Sequence, residues 1–406
     1  MTPPGTWLRR VQMAATIVSI VLFAYMLLPP MSYHFQDPQQ EYLSARALRD
    51  GVDIFTPVAE LALRYFPFPV ASFPHPNPHP PITVLLSLPL SYLPFPLVSV
   101  LWLVVNVALM IRIGTWLGLS RWMSLALLIW PPIHWVVDVG QFELLLLAMT
   151  MLAWKAAERG KDREAGIWLG VAAAIKLYPA FFVLPYLARR RFKIVGMSAV
   201  VFALGQLVNL AVVGPAGLWD YYTRILPTVS AIYQRSWISS SPLATLSRLF
   251  GWSPDSAPVL EAPEIVLPLT LLFAAIGLVA ALTLSPKVAP LAMLVAIPNG
   301  WGYYATLALP QIVALWRRYG PSPLMVCSLI LCSIAQVNGQ GVSQALTQVT
   351  GMSLSVRSPI IGILMALQLI GYLGLLFLSV KAEKGAEISV WLRKVVGERQ
   401  AASVES

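Results

Sequence analysis

EIVLPLTLLFAAIGLVAALTLS, residues 264–285, carries one charged residue, Glu264, at its first position and none after it. A helix needs about 20 apolar residues to cross the hydrocarbon core of a bilayer. This run meets that length, and in lipid its backbone polar groups must be satisfied within the segment, so it reads as a membrane-spanning helix. Further apolar blocks lie at 11–28, 82–111, 122–138, 141–154, 165–188, 194–213, 288–300, 303–316, 322–337 and 358–380. Several are shorter than a full span. Bundles accept short, tilted or broken helices where the freed backbone faces protein or a water-filled cavity. The composition agrees: 57% hydrophobic and only 11% charged, against about 25% charged in a soluble domain. The expected fold is an all-α polytopic membrane bundle of about 10–12 transmembrane segments in one domain over 1–380, with an inner tail at 381–406 that forms a short surface helix. The first block follows Arg9-Arg10 as a signal peptide does. Leu27-Leu28-Pro29-Pro30-Met31 lacks a small-residue cleavage site, so the block reads as an uncleaved span.

The formal charge of +10 does not point to nucleic acid, because the cations sit between apolar blocks instead of forming a basic face. They orient the chain by the positive-inside rule. With the N-terminus inside and 165–188 as a re-entrant hairpin, every Lys and Arg falls on the inner side except Arg46, Arg49, Arg64, Lys176, Arg224, Arg235, Arg248 and Arg357. A simple crossing at 165–188 would put Arg189-Arg190-Arg191 outside. Two long loops, 29–81 and 214–263, then face outward. They hold Trp, Tyr and Phe beside charged residues and are expected to fold. Cys327 and Cys332, five residues apart in one apolar block, read as small core or lipid-facing residues and not as a disulfide or metal pair.

The first outer loop holds the densest chemistry. Asp37 precedes Pro38, so a helix capped by Asp37, with proline at its first position, runs past Tyr42, Ala45 and Leu48 to Gly51. The same carboxylate suits a general base. Glu41 lies one turn on, where two carboxylates raise each other's pKa or hold a cation. Lys176 sits inside an apolar block, just before the helix-breaking Pro179. It is either a functional cation at the hairpin tip, within reach of a lipid phosphate, or a lysine snorkelling from a helix end. In Phe73–Pro81 alternating prolines favour an extended segment. His75 and His79 there either bind a metal with Asp37 or Glu41, or hydrogen-bond to sugar, phosphate or backbone. The chain has four histidines and no Cys/His cluster, so the second reading is preferred and no metal is expected. Arg224, Arg235, Tyr221, Tyr222 and Trp237 in the second loop suit phosphate and sugar faces, or an interfacial aromatic belt with surface arginines. Asp138 and Glu143 flank Gly140-Gln141 and are either acceptor contacts or ordinary helix-end polar residues.

Several motifs then occur in order. They are Asp37, Tyr42-Leu43-Ser44-Ala45-Arg46-Ala47-Leu48, Gly51-Val52-Asp53-Ile54-Phe55-Thr56-Pro57, Pro80-Pro81, Gly140-Gln141, the run Ala172–Pro179 around Lys176, Ser241-Pro242-Leu243 and Trp301-Gly302-Tyr303-Tyr304. This series, over roughly 15–320, resembles the polyprenol-phosphate-sugar-dependent membrane glycosyltransferases of the GT-C class. More narrowly it resembles the group of the phosphatidylinositol-mannoside α-1,2-mannosyltransferases and the arabinan-branching arabinofuranosyltransferases. The resemblance implies an inverting transfer of a sugar, mannose before arabinofuranose, from a polyprenyl phosphate to a glycolipid or envelope polysaccharide. It would occur at the outer face of a bacterial plasma membrane, with membrane lipids as further partners and no cofactor. It implies Asp37 as general base and Lys176 on the carrier phosphate. Against that chemistry, His75, His79, Arg224 and Arg235 are donor-side candidates. Glu41, Gln141, Tyr222, Trp237 and Tyr303 are sugar- or acceptor-side candidates. Two positions depart from the family pattern: Glu143 stands where Asn is usual and Tyr303 where His is usual. The rival classes are a secondary transporter, which would show inverted repeats, and a lipid-binding scaffold, which would tolerate Asp37→Asn.

Overall fold

The computed structural model describes Arg10 and residues 13–18, 20–21, 35–67, 72–236, 238–254, 256–334 and 359–404, with side chains to residue 385. Among these residues β pairing is confined to one isolated antiparallel bridge, Ser239 with Trp301. The rest is helix and connection. From Gln36 onward the α-helices are α1 (Gln36–Arg49), α2 (Val58–Tyr65), α3 (Pro81–Ser87), α4 (Phe95–Trp116), α5 (Arg121–Ala126), α6 (Pro131–Val139), α7 (Glu143–Glu158), α8 (Asp162–Ile175), α9 (Leu184–Ala188), α10 (Phe192–Asp220), α11 (Leu226–Tyr233), α12 (Pro242–Phe250), α13 (Val266–Thr283), α14 (Ala289–Ala296), α15 (Leu309–Tyr319), α16 (Pro323–Ile334) and α17 (Pro359–Val404).

The chain is a polytopic α-helical membrane protein. Among the described residues four helical stretches are long and apolar enough to span: Phe95–Trp116, Phe192–Tyr233, Pro263–Thr283 and Gly362–Gly385. A fifth crossing is available if the bent pair Arg121–Ile129 and Pro131–Val139, at 79°, counts as one. Other apolar blocks form shorter helices, for reasons that lie mostly in proline. Block 82–111 is not one helix: after α3 a 3-10 turn covers Leu88–Tyr92, Leu93 is extended, and Pro94 introduces α4. Proline lacks the N–H that would continue the helix and forces the residue before it out of helical conformation. The bend before α6 falls at Trp130-Pro131 in the same way. The expected first span, 11–28, lies largely outside the described residues. The tail beyond 380 is not a separate short helix; α17 continues through it to Val404.

Segment 162–191 has the geometry of a hairpin. Arg191 at its end contacts the Asp162 carboxylate at its start and donates to the Ala157 carbonyl at 2.8 Å. The outgoing arm is α8, 14 residues or about 21 Å. The returning arm is a 3-10 turn, Tyr178–Val183, followed by α9, together about 20 Å. The matched arms put Lys176, whose backbone is extended (φ −140°, ψ 140°), at the apex. Gly166 and Gly170 let α8 lie directly on α10. A Cβ at Gly166 would meet the Ile194 carbonyl at 2.6 Å, and one at Gly170 would meet Val201 Cβ at 2.7 Å. Small residues four apart allow such close packing where apolar burial alone cannot drive helices together.

The bundle has two chemically distinct ends. At one end the basic connections touch: Lys287 pairs with Glu158 at 2.7 Å, Arg189 donates to the Leu284 carbonyl at 2.7 Å, and Lys155 lies over the Trp116 ring at 4.2 Å. At the other end the two long loops meet, Tyr221 O–H donating to the Pro78 carbonyl at 2.9 Å, and the first of them is tied to the end of α6, Phe35 N–H donating to the Asp138 carbonyl at 2.7 Å. The second loop is mostly helix. α10 kinks at Gly214 (φ 70°, ψ 174°) beside Pro215, continues to Asp220, and passes through a π-turn, Tyr221–Ile225, into α11.

Candidate active site

Asp37 does not cap α1. The residue at the cap position is Phe35, in the left-handed region (φ 54°, ψ 35°), and its side chain is fully buried. Asp37 lies in the first turn. Its carboxylate accepts hydrogen bonds from Gln40 Nε2 at 2.6 Å and from Gln141 Nε2. Gly140 makes this approach possible. It ends α6 at φ 76°, and a Cβ there would lie 2.5 Å from both Cδ and Cγ of Pro38. Gly140→Ala is expected to cost at least about 1–2 kcal/mol for the left-handed backbone alone and to push Asp37 away from Gln141. A lowered unfolding temperature in detergent measures the first effect.

Lys176 is buried at the hairpin apex, 5% exposed. Its ammonium donates to Glu143 Oε1 at 2.8 Å and to Gln141 Oε1. Tyr178 O–H donates to the same Glu143 oxygen at 2.9 Å. Glu143 is fully buried at the start of α7; it is a helix-end residue, as one reading had it, and it also serves as the counter-ion of Lys176. The Gln141 amide bridges the two anchors, its N–H side on Asp37 and its oxygen on Lys176.

Asp37, Gln141, Lys176 and Tyr178 border a cavity of about 260 Å³. Segments far apart in sequence supply its walls: Gln40 from α1, Pro78 from the proline-rich strap, Leu177 from the hairpin, Leu226 and Ser230 from α11, and Asn299 from the connection after α14. One wall is aromatic. Tyr233 packs on Trp301 at 5.1 Å, Trp301 stacks on Tyr303 at 5.6 Å, and Tyr304 meets Tyr178 at 4.4 Å between ring centroids. Such mostly apolar walls with a few convergent polar groups suit an organic ligand.

Both strap histidines line the cavity and are held. His75 Nδ1 lies 2.8 Å from the Pro76 carbonyl, which can only accept. The proton is therefore on Nδ1, and in the neutral ring Nε2 accepts from Tyr233 O–H at 2.6 Å. Burial lowers the His75 pKa, in keeping with a neutral ring. His79 Nδ1 faces the Glu41 carboxylate, which leaves Nε2 as the ring's other polar atom. Among the described residues no group of three or more His, Cys, Asp or Glu is arranged to hold a metal ion.

Asp37 borders the cavity and is half-buried, with protein packed densely around its carboxyl. Burial pushes its carboxyl up to about 6. His79 and Lys176 pull it down, Glu41 pushes it up, and the Gln141 hydrogen bond lowers it. An acid of that pKa is poised for proton transfer near neutrality.

Asp37, Lys176, Gln141, His75, His79 and Tyr303 thus meet at one cavity, with Glu41 directly behind His79. Tyr222 does not line it; its hydroxyl donates to Gln206 Oε1 at 2.6 Å, and the neighbouring Tyr221 takes the wall position. Arg224 is exposed and clamps Asp220 one turn back, at 2.6 and 2.5 Å. Arg235 lies off the cavity, with its carbonyl accepting from Ser253. Trp237 lies outside the described residues. Sequence reasoning missed Gln40, Tyr178, Tyr233, Asn299, Trp301 and Tyr304. Of these, Tyr178, Trp301 and Tyr304 stood inside quoted motifs, whereas Tyr233 and Asn299 carried no local signal.

A model of glycosyltransferase family 87 matches residues 78–310. A polyprenol-phosphate-mannose-dependent α-(1-2)-phosphatidylinositol pentamannoside mannosyltransferase of Mycolicibacterium smegmatis is 30% identical over 267 residues, 61% of this chain and 62% of the relative. A Mycobacterium tuberculosis protein of the same description is 28% identical over 208 residues, 47% of this chain and 46% of the relative. A polyprenol-phosphate-mannose-dependent α-(1-2)-phosphatidylinositol mannoside mannosyltransferase of M. tuberculosis is 24% identical over 273 residues, 60% and 63% of the two chains. The chain therefore spans less than two thirds of the length of each of these relatives. No solved structure matches it.

Proposed function

The chain belongs to glycosyltransferase family 87, and on that premise we propose that it transfers mannose from a polyprenyl phosphate to a glycolipid of the phosphatidylinositol-mannoside kind. The observation that carries the reading is the Gln141 bridge, which holds a carboxylate of raised pKa and a buried ammonium on one cavity wall. The acceptor hydroxyl oxygen attacks the anomeric carbon and its proton passes to Asp37. The bond from that carbon to the phosphate oxygen breaks, and the carrier phosphate leaves with the electron pair. Its charge develops opposite Lys176, a donor placed before the reaction begins. One displacement inverts the anomeric centre. Phosphate needs little protonation to leave, so a single carboxylate suffices, unlike the pair used in glycoside hydrolysis. Two residues of the cavity wall carry buried acceptors without partners, Gln40 Oε1 and Asn299 Oδ1. Sugar hydroxyls are donors that would satisfy them.

The test is a panel with the purified chain: labelled polyprenyl-phosphate mannose and polyprenyl-phosphate arabinofuranose, each with phosphatidylinositol mannosides. Label passing to glycolipid from the mannose donor supports the reading. Transfer from the arabinose donor alone would replace the sugar, and none from either would end it. The base must be ionised, so kcat/KM is expected to fall tenfold per pH unit below about 6, the value to which burial raises Asp37. A flat acid limb contradicts this role.

The proposed active face is the outer one of a bacterial plasma membrane, because the cavity lies at the end of the bundle away from the basic connections. Cysteines at positions 160 and 190 are expected to be labelled from the same side, and one at exposed Arg64 from the other. Labelling of 190 from the side of 64 would invert the topology.

A further inference from the structure

We propose that the cleft at the basic end of the bundle is a second binding site, for a phosphate ester such as an anionic lipid headgroup. The cleft has a volume of about 410 Å³ and is lined by Trp154, Glu158, Tyr186, Arg189, Arg191 and Lys287 among others. Three segments converge on it: the C-terminal end of α7, the Arg189-Arg190-Arg191 turn after α9, and Ser285-Pro286-Lys287 before α14. It is separate from the first cavity. α7 starts with Glu143 on Lys176 and ends with Glu158 on Lys287, so about 24 Å of helix lies between them.

A surplus of cations is all that membrane orientation requires. It does not require a recess with buried aromatic walls, and this one has them: Trp154 is 4% exposed and Tyr186 1%. The indole N–H of Trp154 is buried at that wall without a hydrogen-bond partner, which marks a place lacking an acceptor. Not every charge there is paired. Arg191 is matched by Asp162 and Lys287 by Glu158. A third carboxylate, Glu383, accepts from the Ser285 N–H at 2.7 Å and pairs with none of the cleft's cations among the described residues. Arg189 has no carboxylate partner among the described residues. It is fixed instead by two carbonyls, Pro185 at 2.9 Å and Leu284 at 2.7 Å, which use two of its five N–H groups. One uncompensated guanidinium, held rigid between two paired cations, is suited to the forked recognition of phosphate oxygens.

The turn is built to present these side chains. α9 closes with Arg191 N–H on the Tyr186 carbonyl at 2.9 Å and Arg190 N–H on the Leu187 carbonyl at 3.0 Å. That closure needs a left-handed residue and ordinarily uses glycine. Here Arg190 takes it at φ 56°. Arg189 and Arg191, on either side, line the cleft, and Arg190 does not.

The experiment uses the full chain purified in neutral detergent, titrated calorimetrically with dihexanoyl phosphatidylglycerol and, separately, with inorganic phosphate. Wild type is expected to bind the short-chain lipid. Arg189→Gln and Lys287→Gln are each expected to weaken it about tenfold, the scale of one charge-assisted hydrogen bond. Arg190→Gln removes the same charge from the same turn but outside the cleft, and is expected to change binding less than about twofold. Lys287→Gln alters a half-exposed side chain, so its result does not hinge on the fold surviving loss of the Arg189 contacts. Binding of the lipid but not of phosphate assigns the site to a headgroup; equal binding of both assigns it to a soluble phosphate ester. Either outcome supports the site. Failure of wild type to bind either probe, or an equal loss in Arg190→Gln, overturns it.

Discussion

Asp37→Asn is expected to lower transfer by about 10²–10⁴-fold, the usual contribution of a positioned general base, while making the protein more stable at neutral pH. The two effects share one cause. The Asp37 carboxyl is raised from 3.8 to about 6, chiefly by burial. A group whose pKa is higher folded than unfolded gives stability that is fully present below the unfolded value. That stability is lost as pH rises through the folded one, here between 3.8 and about 6. At pH 7 the native chain therefore carries a carboxylate it would rather protonate, at a cost of up to about 3 kcal/mol. Asparagine keeps the shape and can still meet Gln40 and Gln141 while removing the charge. Inactivity with a raised unfolding midpoint would separate a catalytic loss from misfolding. A variant that is active, or that unfolds earlier than wild type at pH 7, contradicts the account.

The second large effect concerns Lys176 and Glu143. Removing one partner of a buried ion pair strands the other charge, at a cost of about 3–5 kcal/mol. Lys176→Gln should therefore lose both donor binding and stability, since Glu143 is fully buried with only Tyr178 O–H left on that oxygen. In the double variant Lys176→Gln with Glu143→Gln both charges are gone and the two amides can bond to each other. Its unfolding midpoint is expected to return close to that of wild type while transfer stays absent. Unfolding in detergent measures the recovery, and equilibrium binding of the polyprenyl-phosphate donor measures the loss. Recovery of donor binding in the double variant would remove Lys176 from the carrier phosphate.

Glu143 also shows what could and could not be read from the sequence. Its position was visible as a departure from the family pattern, two residues beyond Gly140-Gln141. Its role was not, because the ammonium it neutralises lies 33 residues away across a hairpin. Asp37 and Lys176 were legible as rare charges beside apolar blocks. What joins them is the Gln141 side chain, which the Gly140-Gln141 motif marked as a sugar- or acceptor-side candidate but not as a bridge. The cap reading of Asp37 failed for a conformational reason. Asp-Pro is a sound start signal, but a left-handed Phe35 moves the helix start back and frees the carboxylate. Of the adjacent Tyr221 and Tyr222, both candidates in the sequence, only Tyr221 reaches the wall, and the π-turn that begins there has no signature in the loop's sequence. Hydropathy found the apolar mass of the bundle and drew blocks too long wherever Pro94 and Pro131 divide them.

Single-turnover transfer by the purified chain tests the central claim most directly. Wild type and Asp37→Asn are each mixed with labelled polyprenyl-phosphate mannose and a phosphatidylinositol mannoside, and labelled glycolipid is followed over time at pH 7.5. Wild type is predicted to form product with inverted anomeric configuration, and folded Asp37→Asn to form it at least about a hundredfold more slowly. Equal rates for the two proteins would contradict the assignment of Asp37 as the base.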